Sequence, residues 1–212
     1  MTIGCGGGGG GDETASTTAP PTSTTPPATA PATTTPPPTT TAPKNYATID
    51  ELAAVMKTPE ALGGWIVQNI SYLYPLNMDM ANWMYLNPNE VFSGRKGDCI
   101  HVAAFIKEVL TKNGYACKLL FVLRFSSPTH AVCYWTDANG KLWTIGEAWG
   151  GNQALNGPYD SERAIAAKIL EWLIAQTPGE PKTARYGNFD NLPYGIGWNE
   201  FVQPFVNSTV VP

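Results

Sequence analysis

Four cysteines and two histidines carry most of the nucleophilic and acid–base chemistry open to this 212-residue chain. Cys99 follows the glycine-rich run Ser93-Gly94-Arg95-Lys96-Gly97-Asp98 and stands at the entrance of an apolar helix expected over residues 100–113. A thiol in a first helical turn feels the positive end of the macrodipole and backbone N–H groups that lack helical partners. Both favour thiolate, and the same N–H groups can hold the oxyanion of a tetrahedral intermediate. The competing reading is a buried structural cysteine, a common fate for this residue type. A thiol nucleophile needs a base, and the choice is between His101 and His130. Two residues along a helix turn the side chain by about 200°, so His101 cannot meet Cys99 and reads as a packed or surface histidine. His130, after Ser126-Ser127-Pro128-Thr129, opens a predicted strand and can present its imidazole to a helix N-terminus. Its alternative is a hydrogen-bonded structural histidine.

A third group can be sought by counting through the hairpin that Asp137-Ala138-Asn139-Gly140 predicts, with Asn-Gly supplying positive φ angles. A four-residue loop pairs Thr136 with Lys141 and sets Glu147 opposite His130. A three-residue loop sets Ala148 there, and a two-residue loop Trp149. Across that window only Glu147 can accept from an imidazole N–H, which makes it the candidate third member, with an exposed strand-end carboxylate as the alternative. Asp137 reads as a turn-shaping residue. Cys133, three residues beyond His130, turns to the opposite sheet face. Cys117 and Cys133 are candidates either for a disulfide or for buried thiols. Trp65 and Trp83 are both candidates for an aromatic donor to an oxyanion.

Three motifs then come into register. Gly97-Asp98-Cys99 precedes an Ala-containing apolar helix and Asn113-Gly114-Tyr115; Thr129-His130-Ala131-Val132 follows, then Gly140-Lys141-Leu142-Trp143. In this order the segment from Pro88 to Trp149 resembles the transglutaminase-like family of papain-like cysteine enzymes. The resemblance implies Cys99 as nucleophile and His130 as base. The family's third member is usually Asp shortly after the Trp of the last motif; here that place holds Glu147, preceded by Gly146. It also implies a thioester formed at Cys99 from the amide of a protein or peptide substrate. Water as acceptor gives peptidase or amidase activity, the preferred expectation, and an amine gives transglutaminase-type transfer. Two rivals are a non-catalytic binding or structural module of the same fold and a carbohydrate-binding surface domain. The latter draws on the aromatic-rich residues 186–205 but lacks a regular all-β pattern.

The elements that must position these residues are read as α+β. The expected core is papain-like, a central helix headed by the cysteine and packed on an antiparallel sheet. Thr48 can cap a helix over residues 49–57, and Thr58 with Pro59 starts a second. A loop follows through Pro75, Asn77, Asn87, Pro88 and Asn89. Gly114 is placed for a left-handed cap at the end of the central helix. Residues 117–125, 130–136 and 141–147 read as strands, and 161–176 as a helix. Beyond Pro178 the sequence shows no clear period.

Residues 1–43 form a separate region. From Thr14 to Pro43 every residue is Ala, Ser, Thr or Pro, after an unbroken glycine run over 6–11. Such composition cannot offset ordering entropy and reads as a disordered, semi-rigid tether to a domain over 44–212. Thr2-Ile3-Gly4-Cys5 resembles the end of a bacterial lipoprotein signal, although Thr2 stands where Leu is usual. That implies lipidation at Cys5 and an extracytoplasmic domain held at a membrane by its anchor. The net charge of −4, with scattered Lys and Arg, gives no positive stripe for nucleic acid. With two histidines and no CxxC pattern, neither a metal nor another cofactor is expected. Asn69 and Asn207 head Asn-x-Ser/Thr sequons, which matter only in a eukaryotic secretory pathway.

Overall fold

A computed structural model describes residues 45–73, 80–124, 129–146 and 155–211. The chain divides into Met1–Pro43 and Lys44–Pro212, and the described residues all belong to the second unit. Its order is α1 (Ile49–Val55), α2 (Pro59–Asn69), β1 (Ser71–Tyr72), α3 (Pro88–Gly94), β2 (Lys96–Gly97) and α4 (Cys99–Lys112). Then come β3 (Lys118–Leu123), β4 (His130–Thr136), β5 (Leu142–Ile145), β6 (Leu155–Tyr159), α5 (Glu162–Gln176), β7 (Ala184–Asn188), α6 (Trp198–Val202) and β8 (Thr209–Val211). The class is mixed α and β, with an antiparallel sheet of order β6-β5-β4-β3-β7-β8.

Local chemistry sets the helix starts. Thr48, Thr58 and Ser161 each accept a backbone N–H from the first turn of α1, α2 and α5, and Pro59 begins α2. Helix α4 closes at Gly114 (φ +88), where the Gly114 N–H donates to the Thr111 carbonyl and the Tyr115 N–H to that of Leu110. These are the two bonds of a Schellman cap, and a glycine tolerates the left-handed φ they require.

The sheet is covered on both faces, so its strands read as continuous apolar runs rather than alternating ones. Leu119, Phe121 and Leu123 of β3 and Ala131, Cys133 and Trp135 of β4 share one core with α4. Leu120 and Val122 of β3 and Val132 and Tyr134 of β4 share the other with Ile165, Ile169 and Leu173 of α5. Helix α4 is buried on nearly all sides, with α1 and α3 packed against it beside the sheet. Phe121, Phe189, Phe201 and Phe205 meet edge-to-face in the same core. Each such fully buried side chain contributes about 1.5–3 kcal/mol.

Several expectations need correction. The expected loop around Pro88 and Asn89 contains α3, begun by an Asn87 capping box with Pro88 at its first position and Glu90 reaching back. The segment beyond Pro178 supplies β7, α6 and β8, and β7 pairs with the centre of the sheet along β3. The hairpin pairs Thr136 with Leu142, and the Asp137 N–H donates to the Lys141 carbonyl. That is the three-residue loop, not the four-residue one. Among its residues only Gly140 (φ +77) is left-handed, so Asn139 does not share that role. Asp137 shapes the turn as expected, its carboxylate accepting from the N–H groups of Asn139 and Lys141 and from the Trp143 indole.

Candidate active site

Cys99 is the first residue of α4 and only 4% exposed. The residue before it is the organising group. Asp98, 2% exposed, is the N-cap of α4, and its Oδ1 accepts from the N–H groups of Ile100 (2.9 Å) and His101 (3.1 Å). Its Oδ2 accepts the Trp83 indole N–H at 2.6 Å. His101 lies over the same carboxylate, with Nδ1 at 2.9 Å from Oδ1 and Nε2 at 2.8 Å from the Met84 carbonyl. Its ring stacks on Trp83 at 5.2 Å between centroids. Burial works to raise the Asp98 carboxyl, but the hydrogen bond and charge of His101, with the Trp83 N–H, outweigh it. The carboxyl is left below the usual carboxylate range.

This cluster changes the chemistry expected at the helix entrance. The Ile100 and His101 N–H groups are committed to Asp98, so those two first-turn donors are not held ready for a thiolate or an oxyanion. The Trp83 indole is committed as well, which removes it as an oxyanion donor. The Trp65 indole N–H is buried without a hydrogen-bond partner among the described residues, but its ring packs against Phe92 and Phe105. His101 is the packed histidine expected, in a capping role that its residue type did not announce.

His130 begins β4 and is 3% exposed, paired with Val122 of β3. Alternation along β4 gives it the side of Val132 and Tyr134, the face covered by α5, and its ring lies 5.6 Å from that of Trp172. Helix α4 packs on the other face. Strand β3 starts just after α4 ends and runs back along it, so β4 begins at the end of the sheet where α4 begins. The charge of Asp98 reaches His130 there and raises its pKa, but desolvation is the larger effect and brings it down to about 4. His130 is therefore neutral at pH 7, able to accept a proton. Its Nε2 is shut from solvent and has no hydrogen-bond partner among the described residues.

Glu147 and Cys5 lie outside the described residues. Cys133 faces the α4 core, opposite to His130, as alternation requires. Cys117 and Cys133 are free thiols, and burial together with the neighbouring Cys117 thiol pushes Cys133 well up. Among the described residues no group of histidine, cysteine and carboxylate side chains could hold a metal ion. No helix of the described residues is long and apolar enough to cross a membrane.

No protein-family model matches this chain, and no curated protein matches it.

Asp98 is the residue that sequence reasoning passed over. The available signal was its type and place, an acidic residue directly before the first turn of the most apolar helix.

Proposed function

We propose that the unit over 44–212 is a thiol-dependent acyl-transfer enzyme of the transglutaminase-like kind, with Cys99 as nucleophile and His130 as base. The observation that carries this reading is the buried, neutral His130 whose Nε2 has no hydrogen-bond partner among the described residues. Buried polar nitrogens are nearly always bonded, and an exception costs about 1–3 kcal/mol. A histidine kept only for structure would be expected to recover that energy; one awaiting a proton from a thiol or an incoming nucleophile leaves the position open. Cys99, at the first position of α4, is the proposed nucleophile, although its helix packs on the sheet face opposite to the one towards which His130 turns.

In the proposed reaction His130 takes the Cys99 proton and the sulfur adds to an amide carbonyl. Collapse expels the amine, which receives the proton from His130, and leaves a thioester. Water activated by His130 then hydrolyses it, with transfer to an amine as the other outcome. The preferred substrate is a protein or peptide amide and the preferred acceptor water. Glu147 remains the proposed third member.

One observation favours a non-catalytic module of the same fold. Asp98 satisfies two first-turn donors that an oxyanion would use, and Cys99 is almost closed to solvent. Labelling with an iodoacetamide probe series separates the two readings. The enzyme labels at Cys99 with iodoacetamide at neutral pH, and His130→Asn slows that by about tenfold or more. Equal labelling of both proteins favours the module. The extracytoplasmic placement and the lipid anchor at Cys5 remain part of the proposal, tested by mass spectrometry of the N-terminal peptide from the native source.

A further inference from the structure

Arg95 is the one non-glycine with positive φ among the described residues, at +51, and it ends α3 four positions before Cys99. Such a backbone costs a residue with a Cβ about 1 kcal/mol, so something must hold it there. Its guanidinium carbon lies 4.2 Å from the centre of the Phe92 ring and 4.8 Å from that of Trp65. The two rings are themselves stacked, 6.1 Å apart at 19°. The cation thus rests over an aromatic shelf that contributes no hydrogen-bond acceptor to its N–H groups.

Two donors on this shelf are unsatisfied. Arg95 Nη1 and Trp65 Nε1 are both closed to solvent and have no hydrogen-bond partner among the described residues. Among the described residues no carboxylate pairs with Arg95; the ion pairs present involve other cations. Desolvation pulls the Arg95 guanidinium below its ordinary range, with no opposing charge to offset it. Arg95 is only partly buried, so the cation can still be approached from outside. A guanidinium seated over aromatic rings with Nη1 unpaired among the described residues offers the planar fork that a carboxylate meets with two parallel hydrogen bonds.

We infer that Arg95 on the Trp65–Phe92 shelf is a binding site for a carboxylate group. The incoming carboxylate takes the open side of the fork, and a small turn of the guanidinium brings Nη1 onto the same acceptor. Because the peptide from Arg95 to Cys99 is short and β1 fixes it through Ser71 and Leu73, the site has a constant offset from the thiol. That the carboxylate belongs to the substrate of Cys99 rests on the acyl-transfer reading; the binding itself does not.

The test is a titration of the full 15N-labelled chain with sodium acetate, sodium chloride being exchanged to keep ionic strength fixed. The Trp65 indole N–H is assigned with Trp65→Phe. The expected result is a saturable shift of the Trp65 indole and Arg95 Nε resonances, with affinity weakened at least about tenfold in Arg95→Gln. Arg95→Gly, which suits a φ of +51, supplies a second variant without the guanidinium if the first fails to fold. A non-saturating response, a response retained in either folded variant, or saturation by phosphate but not acetate overturns the site. Intact acetate binding beside an inert Cys99 would overturn only the acyl-transfer reading.

Discussion

A carboxylate at the N-cap of a helix whose next residue is a thiol has two opposed effects. Asp98 secures the start of α4 and orders Trp83 and His101 around it, yet its charge works against a thiolate one residue away. The two effects separate by substitution, because Asn caps a helix about as well as Asp but carries no charge. Asp98→Ala is expected to cost about 3 kcal/mol in urea unfolding, since it strips the cap and leaves the Trp83 and His101 donors buried. Asp98→Asn should cost no more than about half of that. Equal losses would mean that the charge, not the cap, holds the cluster. His130 gives a second prediction. Its folded pKa of about 4 lies below the ordinary 6.5, so the unfolded chain binds the proton more readily over that interval. The stability it contributes is complete above pH 6.5 and is lost as pH falls towards 4, by about 3 kcal/mol in all. Unfolding free energies measured from pH 7.5 down to 4.5 should fall accordingly, and in His130→Asn the decline over this window should flatten.

The elements most readily read from sequence were those whose own residues specify them. Helix α4 has an apolar circumference and a glycine at its end, β3 and β4 have apolar runs, and α5 has Ser161 at its cap. Others owe their form to distant partners. Strand β6, Leu-Asn-Gly-Pro-Tyr, has poor strand propensity and exists by pairing with β5 at the sheet edge. Strand β7 mixes Ala, Arg, Tyr, Gly and Asn, and takes its place from β3, more than sixty positions earlier by the pairs Leu120–Asn188 and Leu123–Arg185. By contrast, α3 was legible in Asn87-Pro88-x-Glu90, a capping box that the surrounding Asn and Pro residues disguised as loop. At the site, the helical geometry that separated His101 from Cys99 was readable, whereas the Trp83–Asp98 bond was not, because it joins positions fifteen apart across α3 and β2.

Two element-scale substitutions probe what holds the site in place. A Cβ on Gly97 would stand 2.8 Å from the His101 Cβ, a buried atom with no room to yield. Gly97→Ala should therefore destabilise by about 1–3 kcal/mol and disturb the Asp98–His101 contact, seen as a changed His101 ring resonance. Arg124, fully buried after β3, donates to the carbonyls of Leu173 and Pro181 and to Thr177 Oγ1, tying the end of α5 to the strand that precedes His130. Arg124→Met should cost about 3 kcal/mol and speed amide exchange in the last turn of α5 ahead of the rest of the helix. Unchanged exchange there would show that α5 is anchored by its apolar face alone.

At the scale of the molecule, one sheet with a helix on each face separates two environments: the α4 core that holds Cys99 and the α5 face towards which His130 turns. The acyl-transfer proposal depends on these two residues acting together where α4 and β4 both begin. The pH dependence of alkylation at each cysteine tests this most directly, using the full chain, iodoacetamide and mass spectrometry of the modified peptides. Cys5, in the glycine-rich stretch, serves as an internal reference for an ordinary thiol, with a midpoint near 8.5. Burial slows the reaction of Cys99 and by itself raises the midpoint of its pH profile. The account predicts that neutral His130 acts as general base, so that alkylation of Cys99 persists further below about pH 8.5 than that of Cys5, and that His130→Asn removes this excess. A Cys99 profile that coincides with or lies above that of Cys5, and is indifferent to His130, would contradict it.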